Sequence, residues 1–117
     1  MAPPFGGTGL APDPLQYMLF GFAACYTATL AVVAAMEGAD LGEVKAVAES
    51  DAEVSRLFGL GEHPLMERIS VRVAVSAAVD DATLARWAQT ARENCPFAFT
   101  VPNGVPLETR VERLTNR

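Results

Sequence analysis

Cys25, His63 and Cys95 are the side chains of this sequence whose chemistry could go beyond packing. A structural zinc site takes about four ligands from cysteine and histidine, and a disulfide framework takes more cysteines at closer spacing. Two thiols separated by most of the chain, with a single His63, supply neither. In a reducing compartment such thiols are free or redox-active. A free cysteine in an alanine-rich helix is also commonly a small buried hydrophobe, so Cys25 carries an inert reading beside the reactive one. His63 follows Glu62 in a loop and reads as solvated surface. Gly7 and Gly9 start a glycine pattern that lacks its third glycine, a preceding strand and a following Lys, so no dinucleotide or P-loop phosphate site is expected.

The element that must position Cys25 is the segment 13–37, DPLQYMLFGFAACYTATLAVVAAME. Asp13 can cap its first turn, Pro14 suits the first helical position, Gln16 completes a capping-box spacing, and Gly38 can turn left-handed to end it. No residue between Asp13 and Glu37 is charged, so the helix must be buried nearly all round, in lipid or in protein. The run is long enough to span a bilayer. Its flanks are acidic, with no Lys or Arg nearby to set an orientation, and polar Gln16, Tyr17, Tyr26, Thr27 and Thr29 interrupt it. A core helix and no membrane are therefore expected, and MAPPF lacks the basic start of a signal peptide.

Residues 1–12 read as a Pro- and Gly-rich lead-in loop. Residues 41–49 alternate as a half-buried strand, 51–58 suggest a short surface helix, and 68–75 alternate cleanly, with Ile69, Val71, Val73 and Val75 on one face. Asp80 or Asp81 caps a second helix that runs to about Asn94, with Leu84, Trp87, Ala88 and Ala91 at helical spacing, and Pro96 ends it beyond Cys95. A turn at Pro102, Asn103 and Gly104 leads into a closing strand over 105–113. The order gives a single α+β domain over 1–117, with a long central helix and a second helix packed on a small, mostly antiparallel sheet. A chain of 117 residues has little surface with which to cover so apolar a helix, which calls for a partner subunit. With 9 basic against 14 acidic residues and no basic block, a nucleic-acid surface is not expected.

Two motifs carry a family resemblance. The run APDPLQYMLFGFAACYTATL resembles the central-helix signature of the OsmC/Ohr family, the osmotically inducible and organic hydroperoxide resistance proteins, and ENCPF around Cys95 resembles its second cysteine motif. The resemblance covers residues 6–113 in order and spacing. It implies an OsmC-like fold built as an intertwined homodimer around paired central helices. It implies a thiol peroxidase in which Cys25 attacks an organic hydroperoxide, Cys95 resolves it as a disulfide, and an external dithiol restores both, with no cofactor; with no targeting segment recognised, the expected compartment is the reducing cytoplasm. The family also carries strands ahead of the glycine loop, one bearing an Arg that pairs with the reactive cysteine, and an acidic residue upstream of it. This chain is expected to lack those strands, and the acidic position corresponds to Leu15, beside Gln16.

Cys25 lies in mid-helix, far from its own helix's N-terminal partial charge, among Met18, Phe22, Tyr26 and Thr29, and burial should raise its pKa. A reactive thiolate would need a cation from Arg68, Arg72 or Arg110, or from a partner. Cys95, at a helix C-terminus, should keep its proton, which suits a resolving thiol. Met18, Phe20, Phe22, Phe97 and Phe99 read as core. The competing function is a dimeric binding or structural module that has lost the catalysis.

Overall fold

The computed structural model describes residues 8–52, 54–62, 64 and 66–114; His63 and the lead-in residues 1–7 lie outside them. The long helix, α1, spans Pro14–Met36. Its first turn closes reciprocally: the Gln16 amide donates to Asp13 Oδ1 at 2.8 Å, and the Asp13 amide donates to Gln16 Oε1 at 2.9 Å. At the other end Gly38, at φ +75°, takes the chain out of the helix, a conformation open to glycine at little cost.

Two antiparallel strands follow, β1 (Val44–Ala52) and β2 (Met66–Val75), in the register Val44 to Val75, Ala46 to Val73 and Ala48 to Val71. Directly paired residues share a face, so these six apolar side chains form one surface, and α1 lies on it. The first strand starts later than the alternation suggested because Leu41 leaves the ladder to enter the core and Gly42, at φ +72°, redirects the backbone. It also runs to Ala52, which leaves only a 3-10 turn, Val54–Phe58, where a short helix over 51–58 was expected.

The second helix, α2 (Asp81–Asn94), is capped by Asp80, whose Oδ1 accepts from the Thr83 amide at 2.8 Å. It packs on α1, and Trp87 and Ala91 meet Leu30, Val33 and Ala34 of α1 and Leu41, with Val73 and Val75 of the sheet against the same cluster. Buried indoles keep their N–H paired. Here Trp87 Nε1 donates to Glu37 Oε2 at 2.6 Å, and Arg86 Nη1 donates to the same oxygen at 2.6 Å, which fastens the end of α1 to α2.

The sequence reading departs from the structure after Cys95. A third helix, α3 (Pro96–Asn103), replaces the expected turn, and the expected strand over 105–113 does not form. A proline inside a helix leaves the carbonyl four residues back without its donor. For Pro102 that carbonyl is Ala98 O, and Arg92 Nη1 of α2 donates to it at 2.9 Å. With the orphan satisfied, Pro102 is tolerated, and Asn103 Nδ2 closes the last turn on Phe99 O at 2.6 Å. Beyond Gly104 the chain is exposed and pairs with neither edge of the sheet among the described residues. The ion pair there, Arg110 to Glu112 at 2.9 Å, is local and joins residues on one side of an extended chain.

Much apolar surface stays uncovered. The chain exposes 9170 Å², whereas a compact monomer of 12.4 kDa would expose about 6,100 Å². The extended tail accounts for part of the excess. The rest includes a stripe of α1, Tyr17, Gly21, Ala24, Ala28, Ala31 and Ala35, at alternating steps of four and three residues, all exposed. By length and composition α1 could cross a membrane; in this fold it lies between the sheet and α2.

Candidate functional site

The crossing of α1 with the α2–α3 elbow brings the two cysteines together. Cys25 sits near the middle of α1, and Cys95 is at once the last cap of α2 and the first cap of α3. The Cys95 thiol donates to Cys25 Sγ across 3.7 Å. Cys95 is fully buried and Cys25 is half-buried, so of the two residues only Cys25 retains any exposure. A disulfide needs the sulfurs at about 2.05 Å, so the pair could close by small side-chain rotations without unfolding a helix.

Contacts on either side hold this register. Phe22, three residues before Cys25, stacks on Phe97, two residues after Cys95, with ring centroids 4.7 Å apart and planes inclined by 15°. Tyr26 Oη, next to Cys25, donates to Ala88 O of α2 at 3.1 Å. Both contacts join the same two crossing segments that carry the sulfurs. Phe22 and Phe97 are half-buried as expected of core residues, but Phe20 is 72% exposed and Phe99 64% exposed, and Met18 is also exposed. Their surroundings in a single chain do not bury them.

Burial pushes the Cys25 thiol above its ordinary pKa. The backbone N–H of Phe97, in the first turn of α3, hydrogen-bonds to the sulfur and pulls the other way, while the adjacent Cys95 raises it further. The donor that faces Cys25 therefore belongs to the start of a different helix, one that reading Pro102 as a turn concealed. The Tyr26 hydroxyl is also raised, by burial and then by Cys95, against a smaller opposing pull from Arg92.

None of the three candidate arginines acts on Cys25. Arg72 pairs with Glu49 at 3.0 Å on the exposed face of the sheet, and Arg110 is in the tail. Arg68 borders a cleft with Asp13, Leu15 and Gln16 at the start of α1. From Leu15 to Cys25 is roughly 15 Å along the helix axis, and the Gln16 side chain is already committed to the cap. A basic residue that does act beside the pair is Arg92, one turn before Cys95 on α2, whose charge is felt at the Tyr26 hydroxyl. Its signal in the sequence was the carbonyl that Pro102 must leave without a donor. Among the described residues no three metal-ligating side chains gather. A groove of about 850 Å³ runs between α1 and β1, lined by Phe20, Ala24, Ala28, Ala31, Ala35 and Val44.

The family described as OsmC-like protein matches residues 7–110 of the chain. Among solved structures, an OsmC-like protein from Mycoplasma pneumoniae superposes with a TM-score of 0.67 at 17% identity, over 82% of this chain and 67% of that one. A second, an organic hydroperoxide resistance protein OsmC from Legionella pneumophila, described as a predicted redox protein and regulator of sulfide bond formation, superposes with a TM-score of 0.62 at 21% identity, over 85% of this chain and 68% of that one. Both share the arrangement of helices and sheet described above. No curated protein sequence matches the chain.

Proposed function

The chain belongs to the OsmC-like protein family, and on that premise we propose that it is a thiol-dependent peroxidase acting on organic hydroperoxides through Cys25 and Cys95. The observation that carries the reading is the 3.7 Å approach of the two sulfurs, between a half-buried Cys25 and a fully buried Cys95. The Cys25 thiolate attacks the terminal oxygen of R–O–O–H, the O–O bond breaks, and an alcohol leaves after taking up a proton. The Cys25 sulfenic acid then condenses with the Cys95 thiol, forming the disulfide and releasing water. An external dithiol returns both cysteines to thiols and becomes a disulfide itself. Cys25, the more exposed of the two, is the attacking residue, and Cys95, fully buried against it, the resolving one. The stacked Phe22 and Phe97 beside Cys25 favour an apolar R group over hydrogen peroxide.

The small-residue stripe on α1 supports a homodimer in which two central helices pack closely, since exposed Gly21, Ala24, Ala28 and Ala31 let backbones approach. Two free thiols suit a reducing, cytoplasmic setting. One observation favours the competing reading, a dimeric module without catalysis: the Cys25 thiol is raised and, among the described residues, no arginine acts on it. The two are separated by exposing reduced protein to an organic hydroperoxide. The enzyme loses two protons per chain as one Cys25–Cys95 disulfide forms, Cys95→Ser accumulates sulfenic acid on Cys25, and Cys25→Ser stops peroxide consumption. Consumption no faster than that of a small-molecule thiol leaves the non-catalytic module.

A further inference from the structure

We infer that in the recycling half of this reaction the external thiolate attacks the sulfur of Cys25 and expels Cys95, and that the fold closes the reverse route. The inference rests on the Cys25–Cys95 disulfide of the reading above. Thiol–disulfide exchange depends on which sulfur is attacked, on access to it and on how well the other sulfur leaves. Attacking, central and leaving sulfurs lie nearly on one line, so an attacker must reach the side of its target that faces away from the bonded partner.

For Cys25 that side opens outward. Its half-buried side chain lies on the flank of α1, one turn from Phe22 and two from Met18, both at least partly exposed. For Cys95 the corresponding side is the interior of the α2–α3 elbow. Cys95 is 0% exposed, as is Ala91 one turn before it, and Ala98, three residues after it, is 4% exposed. Arg92, bonded to Ala98 O, braces the same elbow. A thiolate bound for Cys95 would have to separate α3 from α2, whereas one bound for Cys25 needs no such opening.

The exchange balances as follows. The thiolate R–S⁻ bonds to Cys25 Sγ, and the bond to Cys95 breaks with its electron pair on Cys95, which takes a proton from water. The product is the mixed disulfide R–S–S–Cys25. When R carries a second thiolate, that group attacks the R sulfur, closes a cyclic disulfide and releases Cys25 as a thiolate. Two electrons pass from the dithiol to the protein, and both cysteines end reduced.

The test uses the full chain with its disulfide formed by diamide, without peroxide. Oxidised protein is mixed with 2-mercaptoethanol, quenched in acid at the earliest accessible times, its free thiols blocked, and the mercaptoethanol adduct located by peptide mass spectrometry. In the folded protein the adduct is expected on Cys25 in excess over Cys95 by on the order of tenfold or more, and in urea the excess should fall to near parity. Equal labelling in the folded protein, an excess on Cys95, or a preference that survives in urea would overturn the inference. Because the oxidant is diamide, a chain that consumes no peroxide would remove the peroxidase reading and leave this measurement intact. A chain that consumes peroxide but carries its adduct on Cys95 would remove only the inference.

Discussion

Glutamate in place of Ala28 separates a bare helix face from a covered one, because the two cases differ about sixfold in free energy per subunit. Ala28 is exposed in the single chain and lines the groove between α1 and β1. If that face meets only water, Ala28→Glu costs helix propensity alone, within about 0.5 kcal/mol. If a second copy covers it, each subunit buries an unpaired carboxylate at about 3 kcal/mol or more. A twofold dimer carries the charge twice, about 6 kcal/mol, which weakens its dissociation constant roughly 10⁴-fold. With an unfolding entropy of about 2.1 cal/mol/K per residue, 1 kcal/mol in this chain of 117 residues corresponds to about 4 °C. The covered face therefore predicts a loss of about 12 °C in Tm, and the bare face about 2 °C. Light scattering should show the wild type as a dimer and the variant as a monomer at micromolar concentration, and calorimetry should show the drop. The same change at exposed Ala85, on α2, serves as the reference for propensity alone. A monomeric wild type, or an Ala28→Glu variant that melts within about 2 °C of it as an unchanged dimer, would refute the reasoning.

Trp87→Ala should cost about 3–5 kcal/mol by chemical denaturation, since Trp87 is fully buried at the centre of the α1–α2 contact and Glu37 would lose one of its two donors. Arg92→Met should leave Ala98 O without a donor, at about 1–3 kcal/mol, and increase amide exchange in α3 before any other helix. The rate of alkylation of Cys25 in a Cys95→Ser background should rise with pH through a midpoint above that of free cysteine, because burial disfavours the thiolate. By linkage, the stability that this raised thiol contributes is fully present below the unfolded thiol pKa and is lost as pH rises through the native value. Glu37 has the opposite sign: Arg86, then Trp87, hold its carboxyl below the ordinary range, so its contribution is present above the unfolded carboxylate pKa and disappears as pH falls through the native one. Glu37→Gln should flatten that acid limb in pH-dependent melting.

The parts of the fold that could be read from the sequence are those specified by neighbours in the chain. Asp13, Pro14, Gln16 and Gly38 define the ends of α1 by bonds that span at most four residues, and Asp80 does the same for the start of α2. Alternation over residues 68–75 fixed which face of β2 meets the helix, and the paired register bears it out. The failures share a different cause. Pro102 looked like a turn because the donor that rescues its helix, Arg92, lies on another element and meets it only after α2 and α3 fold against each other. The strand expected over 105–113 had the right alternation but joins neither edge of the two-stranded sheet, and alternation cannot supply a partner. Cys25 and Cys95 could be singled out by type, whereas their 3.7 Å separation depends on a helix crossing that no spacing encodes. Arg68, Arg72 and Arg110 were offered as cations for the same reason, and the sheet and tail place each of them elsewhere.

These misses bear on how the candidate site works. A cysteine in the middle of a helix has every backbone amide near it already paired, so its own helix can do little for a thiolate. The start of a helix is different, because its first amides have no partner within the helix. By folding α3 directly after Cys95, the chain places such an amide, that of Phe97, against Cys25, and the residue that delivers it is adjacent in sequence to the second sulfur. Phe97 then contributes twice, its amide to the Cys25 sulfur and its ring to Phe22 on the preceding turn of α1. Arg92 secures the arrangement from α2 by satisfying the carbonyl that Pro102 leaves free. The consequence is directional: whatever loosens α3 removes the donor from Cys25 and opens the enclosed side of Cys95 together. Stability of this short helix and the unequal access to the two sulfurs are therefore one property of the fold.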